Sequence, residues 1–161
     1  MTEIGKRCKV VIVPCSGIGK TYGTVSREAA YNVTEDLRPQ DTCLVALSKL
    51  VLGEEEARSV VAGNPAITID GCKLACATKM VQESGGCVAQ DFAVLDVYRR
   101  YKQFKPQGIA ELNEGGQQLA HALAEEIAQD VDALTPDPSH QRMGTISSPT
   151  ERGENAGGQH G

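Results

Sequence analysis

The sequence lacks a long hydrophobic run. Its first apolar stretch, Val10 to Val13, is far shorter than a signal-peptide core or the roughly 20 residues that a membrane-spanning helix needs. We therefore expect a cytoplasmic protein that does not enter the membrane. Acidic residues also outnumber basic ones, which gives a formal net charge of −5, and no basic stripe is present. A nucleic-acid partner is not expected.

Internal repeats are missing as well, which excludes solenoid and propeller arrays. The 161 residues suit a single domain of ordinary composition, with 40% hydrophobic and 23% charged residues. We expect this domain to cover residues 1–134. Residues 135–161 are rich in Pro, Gly, Ser and other polar residues, with Met143 and Ile146 as the only large apolar side chains, which predicts a disordered tail.

Strand patterns alternate with helix patterns along the predicted domain. Runs of β-branched or alternating apolar residues predict strands at Lys9 to Pro14, Ala66 to Asp70 and Cys87 to Val97. Helical spacing of apolar residues predicts helices from Thr21 to Leu37, Gly53 to Gly63, Lys73 to Glu83 and Ile109 to Leu134. The apolar segment Cys43 to Leu52 fits either a strand or a helix. The alternation predicts a Rossmann-like α/β fold with three layers and a mostly parallel sheet.

The last predicted helix is long and carries one apolar stripe, which includes Leu119, Leu123 and Ile127. If this stripe is not packed on the sheet, it offers an interface for a protein partner or for a second copy of the chain. The sequence does not identify that partner.

The six cysteines direct attention to chemistry rather than to structural disulfides, because the cytoplasm keeps thiols reduced. Cys15 follows the first strand, and Cys72 follows the strand that ends at Asp70. If these strands are parallel neighbours, both cysteines lie at one edge of the sheet. Cys72 and Cys76 are four residues apart at a predicted helix start, where exposed amides and the helix dipole favour thiolates.

Cys43 lies between the two strands in the chain and is placed to reach the same edge. Four thiolates suit tetrahedral Zn²⁺ or an iron–sulfur cluster. Cys8 and Cys87 are expected to be spectators. The alternative interpretation stays open, since free cysteines are often small buried hydrophobic residues.

Four other residues are predicted to support such a metal site. Asp70 offers a carboxylate to nearby amides, and Gly71 allows a tight turn. Ser16 and Lys20 follow Cys15 in its loop. Lys20, together with Lys73 and Lys79, is placed to offset the charge of an all-thiolate site.

Three motifs together resemble a known family: Pro14-Cys15-Ser16-Gly17, Cys43 at the head of an apolar stretch, and the run from Ile69 to Cys76 that contains Asp70-Gly71-Cys72. The resemblance is to the DGC-domain family and covers roughly residues 8–100. It implies zinc binding through four chelating cysteines, which fall on Cys15, Cys43, Cys72 and Cys76. A closed four-thiolate site implies an accessory, regulatory or sensing role, whereas three ligands would leave a position for a substrate.

Two other functions compete with the metal site. A thiol or sulfur-transfer enzyme would use Cys72 or Cys76 as its reactive thiol. A nucleotide-binding protein would use the segment Pro14 to Thr21, which departs from a phosphate-binding loop by having proline in place of the first glycine. That proline removes an amide donor and restricts the backbone, so nucleotide binding is the weaker alternative.

Overall fold

Strands and helices alternate along the chain in the computed structural model, which describes residues 8–136. The strands are β1 (Val10–Pro14), β2 (Thr42–Leu44), β3 (Pro65–Asp70) and β4 (Cys87–Ala93). The helices are α1 (Thr21–Tyr31), α2 (Leu47–Val51), α3 (Glu55–Gly63), α4 (Cys76–Glu83), α5 (Val94–Arg100) and α6 (Glu114–Leu134). A π-helical segment, Asn32–Leu37, continues α1.

The four strands form one parallel sheet in the order β2-β1-β3-β4. The chain leaves β1 toward β2 on one side, and it leaves β3 toward β4 on the other side. The carboxyl ends of β1 and β3 therefore flank the point where the strand order reverses. Open parallel sheets place their ligand sites in this crevice.

Two hydrophobic cores cover the two faces of the sheet. One face of β1 carries Val10 and Ile12, which pack with residues of α1, α5 and α6. The opposite face carries Val11 and Val13, which pack with residues of α2, α3 and α4. All four side chains are fully buried. The prediction of a three-layer α/β fold with a first strand buried on both faces is confirmed.

The apolar stripe of α6 is part of the first core. Leu119, Leu123, Ile127 and Val131 are fully buried among residues that include Val25 of α1. The stripe is therefore packed within the chain, so the condition under which it would offer an interface is not met, and a protein partner that binds the C-terminal helix stays a prediction.

The helix α6 begins at Glu114 rather than at the predicted Ile109. Asn113 caps it, since the side-chain oxygen of Asn113 accepts a hydrogen bond from the Gly116 amide at 2.8 Å. The pair Gly115 and Gly116 lies in the first turn of α6, which is continuous.

Two other segments divide differently from the prediction. The apolar segment Cys43 to Leu52, which fitted either a strand or a helix, contains most of β2 followed by α2. The predicted third strand ends at Ala93, and the residues that follow form α5. The predicted disordered tail lies outside the described residues except for positions 135 and 136. Within residues 8–136, no helix is long and apolar enough to cross a membrane.

Candidate metal centre at the carboxyl edge of the sheet

The ends of β1 and β3 bring Cys15 against the Asp-Gly-Cys turn. The strands pair in parallel register, with Pro14 opposite Ile69. The Cys15 amide donates to the Ile69 carbonyl at 2.8 Å, and the Cys15 sulfur accepts a hydrogen bond from the Gly71 amide at 3.1 Å. The expectation that these two loops meet at one edge is therefore confirmed.

Three glycines allow the loops to approach so closely. A Cβ atom on Gly17 would lie 2.2 Å from the Cα of Gly23 in α1, and a Cβ on Gly71 would lie 2.9 Å from the Gly23 amide nitrogen. Gly17 also has a φ of +47°, which favours glycine. Gly71 has no positive φ, so its role is the close approach to α1 rather than the tight turn that we predicted.

Asp70 caps α4 from the end of β3. Its carboxylate accepts hydrogen bonds from the Ala77 amide at 2.8 Å and from the Thr78 amide and hydroxyl at 3.2 and 2.8 Å. The residue is 6% exposed. A buried carboxylate at a helix N-terminus satisfies amides that have no partner within the helix and complements the helix dipole. Asp70 thereby holds Cys76 as the first residue of α4.

The relation between Cys72 and Cys76 differs from the prediction. Residues 71–75 form a turn outside the helix, and Ala75 has φ 52° and ψ 47°. This left-handed conformation cannot belong to a right-handed helix, so α4 does not extend back to Lys73. Cys72 is consequently not at a helix start, and the dipole argument for its thiolate does not apply. Both cysteines are exposed free thiols.

Cys15 is the buried member of the cluster, at 6% exposure. Burial raises the pKa of its thiol, while the hydrogen bond from the Gly71 amide and the neighbouring Ser26 hydroxyl act in the opposite direction. The net effect favours the neutral thiol in the absence of a cation. Ser26 also donates to the Ile69 carbonyl at 2.9 Å, which links α1 to the end of β3.

Cys43 lies elsewhere in the structure. The register places it opposite Val11, and Cys15, directly after β1, is four residues further along the chain, or about 13 Å at the usual rise of a strand. Cys43 forms a disulfide with Cys8, with a Cα–Cα distance of 5.4 Å. The expectation that Cys43 reaches the carboxyl edge is not met, because β2 pairs with the first residues of β1 and Cys43 therefore lies level with Val11 rather than with the end of β1.

The disulfide differs from the expectation that the cysteines serve as thiols, metal ligands or redox groups rather than in structural disulfides, and it leaves Cys8 outside the candidate metal ligands. Cys8 precedes β1, and Cys43 is the central residue of the three-residue strand next to it. The sequence signal for this bond was present in the two positions near strand starts, but using it required the knowledge that β1 and β2 are neighbours. Cys87, the other predicted spectator, is an exposed free thiol at the start of β4.

The loop after β1 contains the predicted supporting residues Ser16 and Lys20. The Ser16 carbonyl accepts a hydrogen bond from the guanidinium of Arg27 in α1, and Lys20 is the exposed residue that precedes α1. The segment that resembles a phosphate-binding loop does lie between a strand and a helix. However, its Gly17 packs directly on Gly23, so the glycine serves a contact within the chain.

A cleft of about 260 Å³ lies beside Cys15, over the ends of β1 and β2. Its walls include Cys15, Arg27, Tyr31, Leu44, Leu47 and Ser48. Arg27 and Tyr31 are four residues apart on α1, so they share one face of that helix. Sequence reasoning missed Arg27, because nothing in the sequence indicates which helix borders the Cys15 loop.

The cysteines at the carboxyl edge are not assembled around a metal position. Within residues 8–136, no group of three or more His, Cys, Asp or Glu side chains is placed to hold a metal ion. The donor chemistry fits a soft metal, since Cys15 adjoins the turn that carries Cys72 and leads to Cys76. Binding of one metal ion by all three cysteines would require the turn at residues 71–75 to shift.

A three-layer α/β domain with a cysteine cluster at the carboxyl edge of its parallel sheet is the class of protein that this fold and this cluster define. The family model of the DGC domain matches residues 11–116, which is more than half of the chain. The chain belongs to the DGC domain family. Comparisons with curated proteins and with solved structures found no match.

Proposed function

We propose that this chain is a zinc-binding protein whose metal-binding thiols, Cys15, Cys72 and Cys76, lie at the carboxyl edge of the sheet. The observation that carries the proposal is the hydrogen bond from the Gly71 amide to the buried Cys15 sulfur at 3.1 Å. It places a sheltered soft donor directly beside an exposed cysteine. The role that we propose for the bound metal is accessory, regulatory or sensing.

The turn between β3 and α4 is suited to closing on a metal ion. Cys72, Lys73 and Leu74 are exposed, so few contacts oppose a shift of the turn. The two ends of the turn are held in place, because Asp70 at the end of β3 is buried and accepts a hydrogen bond from the first turn of α4. Zinc binds the thiolate forms of the cysteines. We therefore expect the zinc affinity to increase as the pH rises, because fewer protons must then be displaced.

The local charge supports a thiolate site. Lys20, Lys73 and Lys79 are exposed in or next to the segments that carry the three cysteines. Their positive charges offset part of the negative charge that three thiolates introduce. An iron–sulfur cluster is the alternative cofactor, because it takes the same soft ligands.

Metal analysis of freshly purified protein, combined with its absorption spectrum, tests the proposal. We expect one zinc per chain and no visible absorption; a brown protein with iron and sulfide would point to the cluster instead. Cys72→Ser should lower zinc affinity at least tenfold, because a thiolate ligand is lost. Cys87→Ser is the matched control, since Cys87 is also an exposed free thiol but lies on β4. Protein without stoichiometric metal would refute the proposal.

A thiol or sulfur-transfer enzyme is the second candidate, favoured by the exposure of Cys72 and Cys76. In that reaction a cysteine thiolate attacks the outer sulfur of a donor persulfide, forms a protein persulfide and releases the donor as a thiol. Mass spectrometry of metal-free protein after incubation with a cysteine persulfide would detect the added sulfur atom. Nucleotide binding ranks behind both, and Mg²⁺-dependent ATP binding that is lost in Lys20→Ala would reverse this order.

A further inference from the structure

We propose that the cleft beside Cys15 binds a small organic anion, a monocarboxylate with a short aliphatic chain, and that Arg27 in its wall recognises the carboxylate. The cleft lies at the carboxyl ends of β1 and β2, between α1 and α2. Open parallel sheets bind ligands outside the carboxyl ends of their strands. The proposal goes beyond zinc binding, because no metal takes part in it and neither Cys72 nor Cys76 lines the cleft.

The size of the cleft limits what it can hold. Its volume is about 260 Å³, below the range of about 300–1,000 Å³ that is typical of ligand pockets. A compact molecule fits this space better than a nucleotide does. The loop that resembles a phosphate-binding loop contributes Cys15, Ser16 and Ile18 to the wall, whereas Lys20, the residue that would hold a phosphate, does not line the cleft.

The charge in the cleft favours an anion. Arg27 is the charged residue among those that line it. Arg27 is half-buried and forms no ion pair with a carboxylate of residues 8–136. Its guanidinium donates to the Ser16 carbonyl and to the Thr24 hydroxyl, which are both neutral acceptors. A positive charge that is partly removed from water and has no counter-ion in the described chain is stabilised by an anion.

The guanidinium keeps donors for this anion. It has five N–H donors, and the bonds to Ser16 and Thr24 use one on Nη1 and one on Nη2. The same bonds fix its orientation, since Thr24 is 2% exposed and donates in turn to the Ile109 carbonyl at 2.6 Å. A planar guanidinium that is held in place matches the two oxygens of a carboxylate at a low entropic cost.

The rest of the wall favours an aliphatic chain on the anion. Leu44 at the end of β2 and Leu47 at the start of α2 both line the cleft, as does Ile18. The side chain of Ile18 is 88% exposed, so a chain in contact with it would remove apolar surface from water. A multiply charged anion such as phosphate would find one guanidinium for more than one charge. A monocarboxylate with a short apolar chain matches both parts of the wall.

The first experiment titrates butyrate into ¹⁵N-labelled wild-type protein and follows the amide signals by NMR. We expect saturable shifts at Ser16, Leu47 and Ser48, with a dissociation constant of about 1 mM or tighter. The amides of β4 are the internal control and should not shift, because β4 does not line the cleft. No saturable shift up to about 10 mM butyrate, or shifts confined to other segments, would overturn the proposal.

Related probes test the recognition of charge. 1-Butanol has the same chain without a charge, and it should bind about tenfold more weakly because it makes no charge-assisted hydrogen bond with Arg27. Butylammonium, which has the opposite charge, should not bind. Inorganic phosphate should not displace butyrate. Equal binding of butyrate and 1-butanol would overturn carboxylate recognition, and tighter binding of phosphate would overturn the assignment of a monocarboxylate.

Variants of the wall test the role of Arg27. Arg27→Gln removes the charge but keeps a donor for the Ser16 carbonyl, so butyrate affinity should fall about tenfold. Arg99→Gln is the matched control, since Arg99 is an exposed arginine of α5 that does not line the cleft. Wild-type affinity in folded Arg27→Gln would overturn the role of Arg27.

Ser48 provides a second test in case Arg27→Gln does not fold, because it lines the cleft but is exposed. Ser48→Phe should obstruct the cleft and weaken butyrate binding about tenfold, whereas Ser48→Ala should bind within about twofold of wild type. Equal affinity in the two variants would place butyrate outside the cleft and overturn the proposal. The zinc content of each sample is measured as well. Butyrate binding by protein that holds no zinc would support this proposal and refute only the proposed function.

Discussion

At the scale of single residues, the candidate site depends on three glycines at which backbones from different parts of the chain touch. Gly17 follows β1, Gly71 follows β3, and Gly23 is in the first turns of α1. A methyl group on Gly23 would lie 2.3 Å from the Gly17 Cα and 2.4 Å from the Gly17 carbonyl oxygen. These neighbours are backbone atoms, which cannot rotate away as a side chain can.

We therefore predict that Gly23→Ala lowers the free energy of unfolding by about 1–3 kcal/mol, the usual cost of overpacking a core. The substitution should also weaken zinc binding, since Gly17 and Gly71 position the two cysteine loops. Urea unfolding and a zinc titration measure the two effects. Gly63→Ala is the control, because no atom lies within 4 Å of a Cβ at that position of α3. A stable Gly23→Ala protein with unchanged metal affinity would contradict the proposed role of these contacts.

Some residue contacts of the candidate site could be predicted from the sequence, and others could not. The positions of Cys15 and Cys72 after two buried strands predicted that they meet, because the rule for parallel sheets depends only on strand order. The contact of Gly71 with α1 could not be predicted, since it depends on how closely a helix and a turn approach in space. The bond between Cys8 and Cys43 likewise depends on which strands are neighbours.

At the scale of elements, α4 is positioned by a residue that lies six positions before it begins. Asp70 receives three hydrogen bonds from residues of the first turn of α4, and its side chain is buried. The prediction of a helix from Lys73 depended on the spacing of apolar residues, and Ala75, the residue before α4, makes no side-chain cap that would mark the helix start. A helix capped by a distant residue gives no local signal for its start.

We predict that Asp70→Ala destabilises the protein by about 2–3 kcal/mol, because it removes the buried acceptor of two amides in the first turn of α4 and one of the two partners of the half-buried Thr78 hydroxyl. Asp70→Asn should cost less, since one side-chain oxygen still accepts. Circular dichroism with chemical denaturation compares the two variants. Asp91→Ala, at an exposed position of β4, should change stability by less than about 0.5 kcal/mol. If Asp70→Ala behaved like Asp91→Ala, Asp70 would not anchor α4.

A second link between elements joins the π-helical segment to α6. The Arg38 guanidinium, just after that segment, contacts both carboxylate oxygens of Asp132 at 2.6 Å. The hydrogen bonds from Arg38 lower the pKa of Asp132. Because the folded-state pKa is lowered, the pair stabilises the protein above the ordinary aspartate pKa, and this stabilisation is lost as the pH falls through the folded-state value.

Asp132→Asn should therefore cost stability at neutral pH and little in acid. The side chain of Asp132 is 54% exposed, so we expect less than about 1 kcal/mol at pH 7. Unfolding free energies of wild type and variant, measured from pH 7 down to about pH 2, should converge below the ordinary aspartate pKa near 3.9. A difference that stayed constant over this range would show that the charge of Asp132 does not act through Arg38.

At the scale of the whole molecule, the arrangement of layers followed from the alternation of strands and helices, and the long helix followed from its stripe. The edge strand β2 was the least predictable part of the sheet. It has three residues, and its outer side has no partner strand among the described residues. A strand this short contributes few hydrogen bonds, and its sequence resembles the start of a helix as much as a strand.

The Cys8–Cys43 disulfide fastens this edge strand to the beginning of β1. The bonded cysteines are 35 residues apart, and the loop between them contains α1 and the π-helical segment. Closing a loop of this length restricts the unfolded chain, so the bond should stabilise the fold by about 2–4 kcal/mol. Disulfide-intact wild type should therefore unfold at higher urea concentration than Cys8→Ser/Cys43→Ser, with a similar dependence on urea.

Cys87→Ser should leave the unfolding midpoint unchanged, because Cys87 is a free thiol at an exposed position. Thiol counting in denatured, unreduced protein checks the premise. Four reactive thiols are expected with the bond intact, and six would show that it had not formed. Equal midpoints in the presence of four thiols would mean that β2 is held by packing alone.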